Sequence, residues 1–391
     1  MTLNPKSAIN ISSLPKEHCF GCTACVSICP LDCIHMSADH EGFNYPQVDE
    51  EVCNACRKCV SACPGFNEIE PKNNKTNPQF YGGFHDSDQI KLKSSSGGLF
   101  TAFAEHTLSR GGSVYGAVYD FEHMKVIHNR ATSLEDLAPM RKSKYVQSDT
   151  SGVYEQVKED LKLELPVLFT GTPCQVAGLH LFLGKPEKNL ITIDLICHGV
   201  PSPGLFATHF ADRQKKMGQS ITNIDFRTKD KGWGSFLNFY LKVETDEYKA
   251  LTYAPLDAYY AMFLANLSLR PVCYNCKYAS TDRVSDITLG DFWGVQKENP
   301  ELFDGKGTSL ILANTEKGKS MLMSIQRDII LEMLDTPKPL PPNLVTPTHR
   351  VAYRDKIFKH ITFGDWQIQK VKFHIIALFL IIKNKIMGIF N

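Results

Sequence analysis

Two runs of cysteine, offset by 34 residues, constrain this chain more than any other feature. The first reads Cys19-Phe-Gly-Cys22-Thr-Ala-Cys25-Val-Ser-Ile-Cys29-Pro30. The second reads Cys53-Asn-Ala-Cys56-Arg-Lys-Cys59-Val-Ser-Ala-Cys63-Pro64. All four cysteines and the proline recur at one offset, so the runs form an internal repeat. Each has the spacing C-x2-C-x2-C-x3-C-P that serves a pair of [4Fe–4S] clusters. Three closely spaced thiolates sit on a tight loop and bind three irons of a cubane, and the fourth reaches the other cluster. Cys19, Cys22, Cys25 and Cys63 are therefore assigned to one cluster, and Cys53, Cys56, Cys59 and Cys29 to the second. Structural zinc uses pairs of close cysteines rather than triplets with a distant fourth. A disulfide framework belongs to secreted chains, and no signal peptide is recognised at the start of the sequence. Cys33 has Asn67 at its repeat position and is expected to be a buried non-ligand.

A length of 391 residues allows two or three domains. Hydrophobic content of 43% with 22% charged residues indicates a soluble globular protein. The net charge of +1 gives no bulk attraction to nucleic acid. Residues 1–70 carry nine acids against four bases, a net of −5, which suits docking to a basic redox partner or a solvated acidic surface. Thirteen cysteines, most at cluster spacing, point to a reducing compartment, most simply the cytoplasm.

The chain divides by composition. Residues 1–65 form the dicluster module. Residues 66–79, rich in Asn, Lys and Pro, read as a linker that makes the module a separable unit. Residues 80–335 alternate apolar runs with amphipathic stretches. Strands are expected at 114–119, 166–170, 190–196, 236–243, 287–289 and 309–313, and helices at 98–108, 153–163, 173–183 and 203–216. The fold class is therefore α/β or α+β, a ferredoxin-like module followed by a mixed α/β core. Residues 336–391 are a Pro-rich linker and a C-terminal helical tail.

Four further cysteines lie in the core. Cys174 stands in Thr170-Gly-Thr-Pro-Cys-Gln175, at a strand-to-helix junction. Cys197 stands in Cys197-His-Gly-Val-Pro-Ser-Pro203, past a strand end. Cys273 and Cys276 form a C-x2-C in Arg270-Pro-Val-Cys-Tyr-Asn-Cys276. Strand ends are where open α/β sheets bind ligands.

These motifs, with Ser94-Ser-Ser-Gly-Gly-Leu-Phe100, Lys142-Ser-Lys-Tyr-Val-Gln-Ser148 and Ser285-Asp-Ile-Thr-Leu-Gly-Asp-Phe-Trp-Gly294, give the chain its resemblance to the coenzyme F420 hydrogenase/dehydrogenase beta-subunit family. The likeness runs from about residue 18 to 315. It implies an oxidoreductase with FAD in the core beside an iron–sulfur cluster. Electrons would pass between clusters, FAD and a deazaflavin or another small reducible compound. Plant chlorophyll-cycle reductases are similar too, so the resemblance does not select F420 as substrate. Four thiolates at Cys174, Cys197, Cys273 and Cys276 suit a third [4Fe–4S] cluster, which the resemblance favours, a zinc ion, or unligated core thiols.

No three-glycine dinucleotide fingerprint is present, so a conventional nicotinamide site is unsupported. The Ser95-Ser96-Gly97-Gly98 loop leads into a helix and offers backbone N–H groups to a pyrophosphate. The resemblance adds Lys144, Tyr145, Gln147, Thr172 and Gln175 as cofactor contacts. Asp291 follows a strand end, and an aspartate among apolar residues must be paired or near solvent. His198 titrates near neutrality and is a candidate proton donor; a structural hydrogen bond to a backbone carbonyl is an equal alternative. Both are carried as candidate catalytic groups.

The tail sets eight apolar residues, Ile375 to Ile382, between Lys370, Lys372, Lys383 and Lys385. Eight residues cannot span a bilayer, which needs about 20. The stretch suits peripheral contact at an anionic inner membrane surface, or packing on the core or a second subunit. Expected partners are a ferredoxin-like or other redox protein and a small-molecule substrate. A non-catalytic subunit feeding electrons to a separate enzyme is the alternative reading, and an oligomer fits either.

Overall fold

The computed structural model describes residues 10–71, 78–337, 339–359 and 366–386. In it the cysteine repeat folds twice into the same turn. Gly21 and Thr23, and at the same offset Ala55 and Arg57, take left-handed backbone angles, with φ of 66°, 58°, 58° and 62°. Each pair leads into a one-turn helix, Ala24–Ser27 and Lys58–Ser61. Between them a hairpin pairs β1 (Ile34–Ala38) with β2 (Asn44–Val48) antiparallel.

The core is an eight-stranded mixed sheet. Its strands in chain order are β3 (Gln79–His85), β4 (Ser113–Asp120), β5 (Lys125–Ala131), β6 (Val167–Gly171), β7 (Leu190–Leu195), β11 (Ile287–Asp291), β12 (Ser309–Ala313) and β13 (Ile329–Leu334). They lie in the order β13-β3-β12-β11-β7-β6-β4-β5. The central four, β11, β7, β6 and β4, are parallel, and antiparallel strands complete both edges. The sheet has two buried faces, as the period-2 alternation of strands requires. Leu168 of β6 faces a core with Leu99, Phe103 and Ile193. Val167 and Phe169 face the opposite core with Tyr154, Val176 and Leu179.

The mixed α/β architecture expected from the sequence is the one observed. The expected strand over 236–243 is shorter: Phe236–Asn238 forms a single 3-10 turn, capped by the Ser235 side chain, and the strand begins at Tyr240. The edge strands β13 and β5 were not anticipated, nor was β3 beside β13, where Gly82 and Gly83 dilute the apolar signal. A side-chain carbon on Gly83 would lie 2.5 Å from the Ile330 carbonyl, so backbone approach excludes any larger residue there.

A second unit gathers the three-stranded sheet of β8 (Asn223–Asp225), β9 (Tyr240–Glu244) and β10 (Lys249–Tyr253) with the helices Pro203–Met217, Ala258–Leu264 and Trp366–Ile386. Their shared core is aromatic, with Phe206, Phe210, Phe226, Tyr259 and Tyr260 fully buried. The tail helix docks here through Trp366, Phe373, Ala377, Leu380 and Ile381, while Val371, Ile375, Phe379 and Ile382 remain exposed. Lys370 pairs with Asp212 at 2.6 Å, and His374 Nε2 bonds the Pro255 carbonyl at 2.7 Å. Among the described residues no helix is long and apolar enough to cross a membrane.

The cysteine module is seated on the sheet rather than swinging beside it. Phe20, Cys22, Ala24 and Ala62 join the core formed by Tyr115, Tyr154, Phe169 and Tyr278. Polar groups close the seam. Thr150 Oγ1 donates to Cys22 O at 2.9 Å, Ser202 Oγ to Glu41 O at 2.6 Å, and Lys277 Nζ to Asn67 O at 2.8 Å. Of the expected linker, residues 72–77 lie outside the described residues.

Candidate functional site

Three groups of four thiols lie in succession from the module into the core. In the inner group, burial and then Cys63, Cys25 and Cys174 push the Cys22 thiol well up; burial, Cys19 and Cys63 do the same to Cys25. Cys63 is pushed up to about 11, chiefly by burial, although Gly65 N–H donates to its sulfur at 3.3 Å. In the outer group Cys29, Cys53, Cys56 and Cys59 line one small cavity, and Cys56 is exposed to solvent. Cys33 is buried, as expected, and its sulfur lies 3.4 Å from that of Cys29.

The core group comes from three separate loops. Cys174 enters on the first turn of the helix Pro173–Leu183, Cys197 follows β7, and Cys273 and Cys276 belong to the 3-10 turn Pro271–Asn275 and its C-terminal boundary. Burial and then Cys276 push Cys174 and Cys197 up to about 12; Cys273 rises through burial, Cys197 and Cys276. Mutually facing, buried thiols of this kind lose their protons when a metal takes the protons' place. The donor chemistry therefore fits a thiolate-ligated cluster. Among the described residues no three Cys, His, Asp or Glu side chains converge tightly enough for one metal ion.

The inner and core groups are neighbours. Cys174 is among the thiols facing Cys22, and both face the Tyr154 and Tyr278 hydroxyls. Beyond the core thiols, the parallel strands β7 and β11 pair up to Leu195 and Leu289. Two residues further along each stand Cys197 and Asp291.

Asp291 opens a cationic, aromatic cluster. Its Oδ2 accepts from Arg227 Nη1 at 2.9 Å, and its Oδ1 has no partner among the described residues. The Arg227 guanidinium lies 4.5 Å from the Phe239 ring centroid and 5.0 Å from that of Trp293. Trp293 stacks on Trp233 at 5.3 Å and is 39% exposed. Lys229 donates to the carbonyls of Ser96 and Lys91 at 2.7 and 2.6 Å. Burial, with Arg227 and Lys142 nearby, lowers its pKa to about 7 despite the carboxylates of Asp291 and Asp304. Lys142 pairs with Asp225. Trp233 Nε1 donates to the Ser95 carbonyl at 3.1 Å, which ties the Ser/Gly loop to this cluster.

The residues anticipated as cofactor contacts divide in two. Ser95, Ser96, Tyr145 and Asp291 border the cationic cluster. Gly97 and Gly98 have backbone duties: a side-chain carbon on Gly97 would lie 2.7 Å from Gly83 O, and Gly98 caps the helix Leu99–Ser109 at φ +85°. The other anticipated side chains are engaged elsewhere. Lys144 Nζ donates to the carbonyl of Arg141 at 2.8 Å. Tyr145 belongs to both sets: its ring stacks on Phe263 at 4.4 Å, and its hydroxyl accepts from Arg227 Nη1 at 3.3 Å. Gln147 Nε2 donates to Phe20 O at 2.9 Å, across the module seam. Thr172 and Gln175 close a capping box on their own helix, and Gln175 Nε2 also bonds Ser148 Oγ at 2.9 Å. His198 Nε2 bonds Asn266 Oδ1 at 2.7 Å, its ring edge rests on Phe263, and burial lowers its pKa. Arg227, Lys229 and Trp233 were not anticipated. Their signal is the alternation of Arg227, Lys229 and Lys231 before Gly232-Trp-Gly234, in a chain otherwise balanced in charge.

Comparison with known proteins agrees with the cysteine pattern. Residues 18–66 match the 4Fe-4S dicluster domain, and residues 166–338 match the family described as the C terminus of the coenzyme F420 hydrogenase/dehydrogenase beta subunit. The Ser94–Phe100 and Lys142–Ser148 motifs lie between the two matched stretches. No curated protein sequence matches the chain. Among solved structures, a chain of the F420-reducing [NiFe] hydrogenase complex from Methanosarcina barkeri is 19% identical. That alignment covers 78% of this chain and 94% of that one at a TM-score of 0.46. The dicluster domain and the C-terminal region together make the chain an iron–sulfur protein of electron transfer related to the coenzyme F420 hydrogenase/dehydrogenase beta subunit.

Proposed function

We propose that the chain is an iron–sulfur flavoprotein oxidoreductase in which the three thiol groups form a relay. The outer group, open at Cys56, receives electrons from a ferredoxin-like donor. The inner group passes them across the seam to a third [4Fe–4S] cluster on Cys174, Cys197, Cys273 and Cys276. FAD held in the core would supply the two-electron chemistry toward an F420-like deazaflavin or another small acceptor. The observation that carries this reading is the packing of Cys174, Cys273 and Cys276 against the same core cluster as Cys22, which makes the thiol groups consecutive. Bound FAD would link one-electron carriers to hydride chemistry. Arg227, Lys229 and Lys142 supply cations suited to its phosphates, Trp293 a partly exposed aromatic ring, and the Ser95–Ser96 loop backbone donors. Asp291 is proposed to orient Arg227 and to accept from the ligand through its free Oδ1. His198, held by Asn266, is proposed to keep the Cys197 loop in place rather than to move a proton. The domain boundaries proposed are 1–65, 66–79, 80–335 and 336–391.

Anaerobic reconstitution with iron, sulfide and flavin measured together tests the reading. About twelve irons and one flavin per chain are expected, from three cubanes and one FAD. A flavin-free protein with full iron would leave only the electron-transfer role. Turnover of a small acceptor by the isolated chain separates enzyme from relay.

The tail helix is proposed to contact an anionic lipid surface, at the cytoplasmic face of a membrane. Its outward residues Val371, Ile375, Phe379 and Ile382 are 57–63% exposed, and exposed Lys372 and Lys383 border them. Lys215 and Lys216 of the adjoining helix are exposed too, and no acid follows Asp365. An apolar stripe with basic margins is the pattern of an interfacial helix. Sedimentation with phosphatidylglycerol vesicles, and not with phosphatidylcholine vesicles, is expected. Self-association without vesicle binding would assign the stripe to a second copy.

A further inference from the structure

The three largest fully buried side chains are arginines, Arg270, Arg283 and Arg354. Two of them have carboxylates. Arg283 pairs with Asp194 at 2.9 Å, and Arg354 grips both oxygens of Glu41. Arg270 pairs with no carboxylate among the described residues. Its guanidinium instead donates from Nε to Cys19 O at 2.7 Å, from Nη1 to Gln147 Oε1 at 2.8 Å, and from Nη2 to Asn44 O at 3.0 Å. Nη2 also donates to Cys19 Sγ at 3.4 Å. The guanidinium plane lies over the Tyr45 ring at 4.3 Å.

A buried cation with only neutral partners is strongly unfavourable. Arg270 is therefore built for an anion that the protein's own carboxylates do not provide. The one ionisable atom it touches is the Cys19 sulfur, and the Cys273 thiol also faces it. Cys19 belongs to the inner group and Cys273 to the core group, so Arg270 stands between the two.

We infer that Arg270 is a positioning residue that sets the reduction potential of the inner cluster and locks the module onto the core with the same guanidinium. The inference rests on the cluster reading above. A cluster held by four thiolates is anionic, and gains a further negative charge when it accepts an electron. A fixed cation donating to one ligand sulfur stabilises the reduced form more than the oxidised form, which raises the potential. The inner cluster then draws electrons from the outer one across the module. The fork geometry matters as well as the charge, because lysine cannot hold Cys19 O, Gln147 and Cys19 Sγ together.

The test is a redox titration of the fully reconstituted chain, followed by electron paramagnetic resonance. Iron content in the wild type checks the cluster reading separately: a chain without iron removes that reading, not only this one. In Arg270→Gln, the reduced-to-oxidised ratio of one cluster at a fixed potential should fall about tenfold. A tenfold change is about 59 mV for one electron. The remaining clusters should keep their potentials. Arg270→Lys should show a smaller fall in the same cluster. An unchanged potential in an iron-replete Arg270→Gln protein overturns the inference. Should neither variant retain iron, wild-type protein labelled with 15N-arginine decides. Electron–nuclear double resonance of the reduced chain must then show a guanidinium nitrogen coupled to a cluster, and a reduced cluster spectrum without it overturns the inference.

Discussion

Gly178 faces Cys22 across the seam between module and core: a side-chain carbon on Gly178 would lie 2.9 Å from Cys22 Sγ and 3.1 Å from the Tyr154 hydroxyl. The helix Pro173–Leu183 therefore carries a glycine in its interior, where alanine would raise helix propensity by about 1 kcal/mol. The close approach outweighs that gain. Overpacking typically costs about 1–3 kcal/mol, and here the displaced atom is a proposed cluster ligand. Gly178→Ala should lower the unfolding temperature and release about four irons, the content of one cubane. Unfolding at the wild-type temperature with full iron would mean that the seam is not tight at this point.

The core thiols can be tested as a set. Replacing Cys174, Cys197, Cys273 and Cys276 together by Ala should lower iron from about twelve to about eight per chain and leave the two dicluster signals intact. An unchanged iron count would end the third-cluster proposal.

Much of this site was legible in the sequence because cluster ligation is local. The repeat spacing alone identifies eight thiols, and the motifs around Cys174 and Cys197 mark strand ends. The seam was not legible. Gln147 and Arg270 each read as core-motif residues, yet both bond the first cysteine loop, at Phe20 O and Cys19 O, more than 120 residues away in sequence. Such pairing leaves no periodic or spacing signal. Thr172 and Gln175 show the converse: their S/T-x-x-E/Q offset is a capping box, a local signal with a sufficient local explanation.

Trp293 and Trp233 separate cofactor binding from folding. Trp233 is 6% exposed and belongs to a hydrophobic core, so Trp233→Ala should cost about 3–5 kcal/mol of stability. Trp293 stacks on it at the cluster's edge and is 39% exposed. Trp293→Ala should change stability far less, while flavin retention after gel filtration falls at least severalfold. Full flavin retention in that variant would move the ring-binding face elsewhere.

His128 gives the core an acid sensitivity. It is buried on Phe169, with Nε2 bonded to Thr170 O at 2.9 Å, and burial lowers its pKa to about 4. The unfolded chain, with an ordinary value near 6.5, binds a proton first as pH falls. Stability from this group is complete above about pH 6.5, declines through the window down to about pH 4, and is lost below it. At pH 5 the loss is about 2 kcal/mol. His128→Phe should lower stability at neutral pH, through the lost hydrogen bond, and flatten the fall in unfolding temperature between pH 7 and 5. A slope as steep as the wild type's would assign the sensitivity to another group.

Removing residues 1–78 tests whether the module is an appendage. The sequence suggested a separable unit on a linker. The structure gives the truncation two penalties. Tyr154, Tyr278 and Val176 lose the packing of Phe20, Cys22 and Ala24 and become exposed. Arg354 loses its Glu41 carboxylate, and Arg270 loses Cys19 O and Asn44 O. Stranding one buried charge costs about 3–5 kcal/mol, and two such losses rival the whole stability of a domain, about 5–15 kcal/mol. The truncated chain should therefore be aggregation-prone or unfold well below the full-length protein, and should bind flavin poorly for that reason. Restoring the module in trans as residues 1–78, with clusters assembled, should recover solubility if the seam is the cause. A truncated chain that stays monomeric, unfolds at the full-length temperature and keeps its flavin would show that the seam contributes nothing to the core.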